Sequence, residues 1–213
     1  MKRTFLALAI LAAVLAVPAI LLAHEYRPGK MYDCCRAHAS RNIGKVCVKI
    51  TEANEEFWFG ELIIIDRHGK IIHRGKPSSE ASLENRSEFD ALYGTPYGLA
   101  WAEAACDLDG DGSDEILISE PKSDVSPQEY RVLRWKDGEL SLVRRGYLTV
   151  EGSHARWTDK SLDERPWLTG IKERKDGSVE GTVIQLTNNG GGVAHYKVLL
   201  RHEKGGFSLI KIR

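Results

Sequence analysis

The chain alternates between short apolar runs and polar, glycine-containing breaks for most of its length. Val46-Cys47-Val48-Lys49-Ile50 has the period of two that marks a half-buried strand. Phe57 to Ile65 is strongly β, Asp66-Arg67-His68-Gly69 supplies a turn, and Lys70 to Arg74 returns as its partner. A second hairpin is written by Tyr130 to Trp135, the turn Lys136-Asp137-Gly138-Glu139, and Leu140 to Val143. Strands are also expected at Leu99 to Cys106, Glu115 to Glu120, Gly170 to Glu173, Val179 to Thr187, Ala194 to Arg201 and Phe207 to Ile212. Irregular chain or a short helix is expected from Tyr26 to Asn42, irregular chain from Trp157 to Trp167. Ser78 to Leu92 carries a serine cap and a loose apolar face that predict a short helix.

One pattern recurs. Tyr130-Arg131-Val132-Leu133 with Leu140-Ser141-Leu142-Val143 echoes Tyr196-Lys197-Val198-Leu199 with Phe207-Ser208-Leu209-Ile210. Repeated hairpins suggest blade-like sheets set side by side. The expected class is therefore mainly β, with antiparallel hairpins forming a partial or small propeller-like assembly or a β-sandwich, and one or two short helices.

The N-terminus departs from this pattern. Met1-Lys2-Arg3 precedes an uncharged run from Thr4 to Ala23, the layout of a secretory signal. Cleavage after Ala23 or Ala19 fits the small residues there, while the run from Phe5 is also near the length of a membrane span. Residues 1–23 are expected to be a signal peptide or an N-terminal anchor, and residues 24–213 a single β-rich domain outside the cytoplasm. The 30 basic and 30 acidic residues balance, and no dense Lys/Arg block is present, which argues against nucleic acid as a partner. Membrane contact is expected only through the N-terminal segment. Export makes disulfides plausible for Cys34, Cys35, Cys47 and Cys106. Neighbouring Cα atoms lie about 3.8 Å apart, too close for the usual bridge, so Cys34 and Cys35 are expected to bond elsewhere, with Cys47 and Cys106 as partners.

The chemistry concentrates in Asp107-Leu108-Asp109-Gly110-Asp111-Gly112-Ser113-Asp114-Glu115. Carboxylates at loop positions 1, 3, 5 and 9 can surround one hard cation, and glycines at 4 and 6 permit the tight turn. An EF-hand would need Glu at position 12, where Ile118 stands, and Ile116-Leu117-Ile118-Ser119 predicts a buried strand rather than an exiting helix. The alternative is an acidic surface turn that holds no metal. The segment from Asp107 to Ser119 resembles the FG-GAP / VCBS-type repeat, the calcium-loop hairpin of integrin-like β-propellers. That resemblance implies Ca2+ as cofactor, side-chain ligands Asp107, Asp109, Asp111 and Glu115, and the backbone carbonyl of Ser113. The repeat more often ends in Asp, so Glu115 is a departure.

Other chemistries find less support. There is no Gly-x-Ser-x-Gly elbow and no His-Glu-x-x-His. Asn188-Asn189-Gly190-Gly191-Gly192 has no following helix start and suits a flexible turn better than a phosphate cradle. Trp58, Trp101, Trp135, Trp157 and Trp167 suit core positions better than a binding platform. Cleavage after Ala23 would expose His24, whose amine and imidazole could chelate copper as in lytic polysaccharide monooxygenases, but no second ligand histidine is identifiable. Asp66, Glu103 and Asp163 could form a hydrolase pair only if folding unites them. The expected function is an exported, calcium-binding, non-catalytic protein in which the ion rigidifies a strand–turn–strand loop, with protein or glycan as partner. The alternative is an extracytoplasmic enzyme acting on glycans. A pocket with two facing carboxylates away from the loop would favour the enzyme; an open, acidic, aromatic-rimmed face would favour binding.

Overall fold

A computed structural model describes residues 26–54, 56–79, 89–95, 98–121, 127–160, 166–186 and 193–212. Within these, the regular elements are fifteen β-strands and the pairings are antiparallel, so the mainly β, hairpin-built class holds. No short helix occurs among the described residues. Most of the Ser78 to Leu92 helix, and the whole N-terminal leader, lie outside them; Leu92 itself opens strand β5 (Leu92–Thr95).

The first sheet runs β1 (Met31–Arg36), β2 (Ile43–Ala53), β3 (Trp58–Asp66), β5 and β6 (Gly98–Leu99), with β4 (Ile71–Arg74) also on β3. Strand β1 corrects the expectation of irregular chain or helix after Tyr26. Its pairing with β2 supplies what a weak local pattern does not, with Met31 facing Lys49 and Arg36 facing Lys45.

The second sheet begins with β7 (Trp101–Cys106), β8 (Asp114–Ser119) and β9 (Glu129–Lys136), then passes into β10 (Glu139–Glu151). From β10 it closes into a ring through β12 (Trp167–Glu173), β13 (Val179–Leu186), β14 (Val193–Glu203), β15 (Gly206–Lys211) and β11 (His154–Thr158), which returns to β10. The ring is a six-stranded barrel; of the stretch from Trp157 to Trp167 expected to be irregular, Trp157 and Thr158 end β11 and Trp167 opens β12, while Asp159, Lys160 and Pro166 are irregular. The β9–β10 turn is a two-residue Asp-Gly connection with φ of 53° at Asp137 and 88° at Gly138. Positive φ at both central positions matches the twist of antiparallel strands.

Strands β7 to β9 form a partition between two apolar cores. Ala102, Ala105, Ile116, Ile118, Leu133 and Trp135 meet Val46, Val48, Ile50, Leu62, Ile64 and Leu92 of the first sheet. On the other side Ala104, Cys106, Leu117, Tyr130 and Val132 join Leu148, Val150, Leu168, Val183, Val198 and Phe207 in the barrel core. Strand β8 is buried at all six positions because both its faces are covered. A one-residue bulge at Glu103 (Ala102 opposite Ile118, Ala104 opposite Leu117) exchanges the faces of β7 midway.

All four cysteines are free, a correction to the expected disulfides. Cys34 and Cys35 pack at the edge of the first core, Cys47 on the opposite face of the first sheet with Ile63 and Ile65, and Cys106 in the barrel core. Burial pushes the Cys106 thiol up to about 12, as desolvation disfavours the thiolate. Trp58, Trp135 and Trp167 are buried as expected, whereas Trp101 and Trp157 are half-buried.

Gly94 pairs with Trp58 across β3 and β5, and a Cβ there would fall inside the indole ring. Gly94→Ala is expected to cost about 1–3 kcal/mol or more, by overpacking a site with no room. Gly69→Ala has open space around the Cβ but an unfavourable φ of 84°, and is expected to cost less. Urea denaturation of both variants checks this order.

Candidate metal centre

The acidic segment is the turn between β7 and β8, closed by Cys106 facing Glu115. Gly110 (φ 75°) and Gly112 (φ 87°) take the left-handed conformation that other residues resist. The carboxylates wind the loop around themselves. Asp107 accepts the Gly110 N–H on Oδ1 at 2.6 Å and the Gly112 N–H on Oδ2 at 2.9 Å. Asp109 accepts the Asp111 N–H at 3.1 Å, and Asp111 accepts the Ser113 N–H at 2.8 Å. Glu115 reaches back from β8 to accept the Leu108 N–H at 2.8 Å. These are the side-chain-to-backbone turns that Asp favours.

The outcome is convergence. Carboxylate oxygens of Asp107, Asp109 and Glu115 all lie within 4.8 Å of one another. An ion with oxygen ligands at about 2.3–2.6 Å spans a similar width between opposite oxygens. This group could hold a metal ion. Asp111 and Ser113, also expected as ligands, lie beside the three in the same turn: Asp111 is exposed and its carboxylate is engaged by the Ser113 N–H, and Ser113 is buried.

Two contributors, Arg134 and Asn42, were not legible in the local sequence. Arg134 of β9 sits directly opposite Glu115 of β8. Its Nε donates to Glu115 at 2.9 Å, and its terminal nitrogen donates to Asp109 and lies 3.5 Å from Asp111. One guanidinium thus bridges three of the loop's acids. Asp114 turns away from the cluster and accepts the Asn42 N–H at 3.2 Å and the Asn42 side-chain amide at 3.0 Å. That contact fastens the loop to the β1–β2 connection. Their signal is tertiary: Arg134 is nineteen residues from Glu115 and Asn42 seventy-two from Asp114.

The charges respond to this setting. Burial raises the Glu115 carboxyl above its ordinary value, and the bonds from Arg134 and Leu108 offset part of that. The bond to Glu115 raises Arg134, and the Ser113 N–H lowers Asp111.

Beside the loop lies a groove of about 290 Å³. Its lining includes Asp109, Asp111 and Glu115 of the loop and β8, with Arg144, Trp157, His202, Lys204 and Phe207. Arg144 stacks over Trp157 with its guanidinium carbon 5.6 Å from the ring centre.

The residues weighed for catalysis are not united. Asp66 accepts the His68 and Lys70 N–H groups in the β3–β4 turn, each at 2.8 Å. Glu103 lies in the second sheet and accepts the Ser119 hydroxyl at 2.7 Å. Asp163, His24 and the Asn188–Gly192 turn lie outside the described residues.

Two outcomes are expected. Arg134→Met leaves crowded acids without their counter-charge and lowers stability in chelator by about 1.5–3 kcal/mol, the worth of hydrogen bonds to a charged group. Millimolar divalent cation restores most of it, as urea denaturation with and without chelator would show. Burial raises the Glu103 carboxyl above its ordinary value, so folding favours its protonated form. That contribution is complete below the unfolded carboxylate range and lost as pH rises through the folded value. Glu103→Gln keeps the acceptor for Ser119, and should flatten stability against pH in that window and raise it at pH 7, read by thermal melts from pH 4 to 8.

No family model, curated protein or solved structure matches this chain.

Proposed function

We propose that this chain is an exported calcium-binding protein with a binding or structural role rather than a catalytic one. The ion rigidifies the β7–β8 turn, in the manner of an FG-GAP / VCBS-type loop. The observation that carries this reading is the convergence of Asp107, Asp109 and Glu115 on one point at a turn between paired strands. The donors are all oxygens, which suits a hard cation over zinc or copper. Asp111 and the Ser113 carbonyl complete the proposed ligand set. Arg134 then serves as the counter-charge when calcium is absent and yields Asp109 when it binds.

Two further observations favour binding over hydrolysis. Asp66 and Glu103 lie in different sheets. The groove beside the acidic loop is lined in part by Trp157 and Phe207. The apolar leader supports export, and the partner is a protein or a glycan.

Calcium at a hundred times its dissociation constant would stabilise the fold by about 2.7 kcal/mol. At roughly 2–4 °C per kcal/mol for a chain of this size, the melting temperature should rise about 5–10 °C. Asp109→Ala should remove most of that shift, and a calorimetric titration with calcium should give one site per chain. Identical melting curves in calcium and in chelator would defeat the reading.

A further inference from the structure

We propose that the groove beside the acidic turn takes a small carboxylate-bearing saccharide, a uronic acid of one or two rings, and takes it only when calcium occupies the turn. This inference rests on the calcium reading above.

The argument starts from charge. The groove is lined by Asp109, Asp111 and Glu115 and also by Arg144 and Lys204. Without an ion, Arg134 lies on the acids and the local balance is close to neutral. A divalent cation at Asp107, Asp109 and Glu115 adds two positive charges on the acidic side. With the ion in place, Arg134, Arg144, Lys204 and the cation together outweigh the four loop acids by one charge, so the groove as a whole favours an anion, and a partly desolvated site strengthens that preference. The cation also needs six to eight oxygens. The loop's side chains leave room in that shell, and ligand hydroxyl or carboxylate oxygens can enter it.

The lining narrows the class. A one-residue bulge at Val143 (Leu142 opposite Leu133, Arg144 opposite Val132) sets Arg144 beside the groove. Trp157 holds the guanidinium by its ring face. A fixed planar guanidinium is suited to a carboxylate, which it can bind through two parallel hydrogen bonds. Val132, Val143 and Phe207 also line the groove, apolar surface that fits the C–H face of a sugar ring. The volume, about 290 Å³, is at the small end for ligand pockets, a size that suits a small ligand. An acidic dipeptide shares the carboxylate but lacks both ring face and vicinal hydroxyls.

The experiment is isothermal titration of the full chain with digalacturonate and diglucuronate, in saturating calcium and in chelator. Neutral digalactose and the dipeptide Glu-Glu are run beside them. Calcium alone is titrated first, so that loss of the calcium reading is seen separately from loss of this one. Binding of a uronate in calcium, falling at least tenfold in chelator and with neutral digalactose, supports the proposal. Arg144→Gln, an exposed position, should weaken the uronate at least tenfold and leave the calcium titration unchanged. Calcium binding with no uronate binding overturns the proposal and leaves the metal site standing. Uronate binding indifferent to calcium or to Arg144, or Glu-Glu binding equally well, overturns it too.

Discussion

The β7–β8–β9 partition must be apolar on both faces, and the rest of the molecule is arranged around that requirement. Ile116 and Ile118 point into the core against the first sheet while Leu117 points into the barrel. A shift of one residue in β8 would send each side chain to the opposite core, so the register is held from both sides. With the register fixed, the turn at its end is fixed too. Glu115 then falls opposite Arg134, and Asp107, Asp109 and Glu115 converge. The candidate site is thus a consequence of core packing carried out to the end of a hairpin.

Charge reinforces the same register. Acids flank β8 at both ends, and β9 supplies an arginine to each. Arg134 binds Glu115 at the loop end, and Arg131 pairs with Glu120 at the other. The second pair is buried, with Arg131 1% and Glu120 8% exposed, and Arg131 also donates to the Phe89 carbonyl at 2.7 Å. A buried pair adds little net stability against an apolar replacement, but removing one partner is costly, so it disfavours any register that separates the two. The loop end differs in being partly open. There the acids outnumber the single guanidinium, and that excess is what an ion would neutralise.

The position of the turn gives any ion bound there more than local influence. Asp114 bonds to Asn42 in the β1–β2 connection, Glu173 of the barrel accepts the Ala39 N–H at 2.6 Å, and Gly110 faces the His202 ring near the β14–β15 turn. The acidic loop therefore bonds to the β1–β2 connection and lies beside His202 of the barrel, and that connection is in turn bonded to the barrel through Glu173. Ordering the loop would order a junction, a physical basis by which a bound ion would act on stability.

Much of this was legible along the chain. The hairpin at Tyr130 to Val143 is local, because an Asp-Gly turn between alternating strands needs no distant partner. Ile116 to Ser119 was recognisable as a buried strand from its continuous apolar run, and the acid spacing from Asp107 to Glu115 specified a tight oxygen-rich turn before any coordinates. Strand β1 was missed because Met31 to Arg36 is exposed or half-buried at every position and is defined by β2. The cysteines gave a misleading signal, since composition cannot say that Cys47 and Cys106 face different cores. Sequence alone determined the turn chemistry and the strand periods, because both act over a few residues. Tertiary structure decided that β10 to β15 close into a ring, that Arg134 answers the acids, and that Arg144 and Trp157 line a groove with them. Those relations join residues far apart in the chain, and only the pairing of strands brings them within reach of a hydrogen bond or a shared ligand.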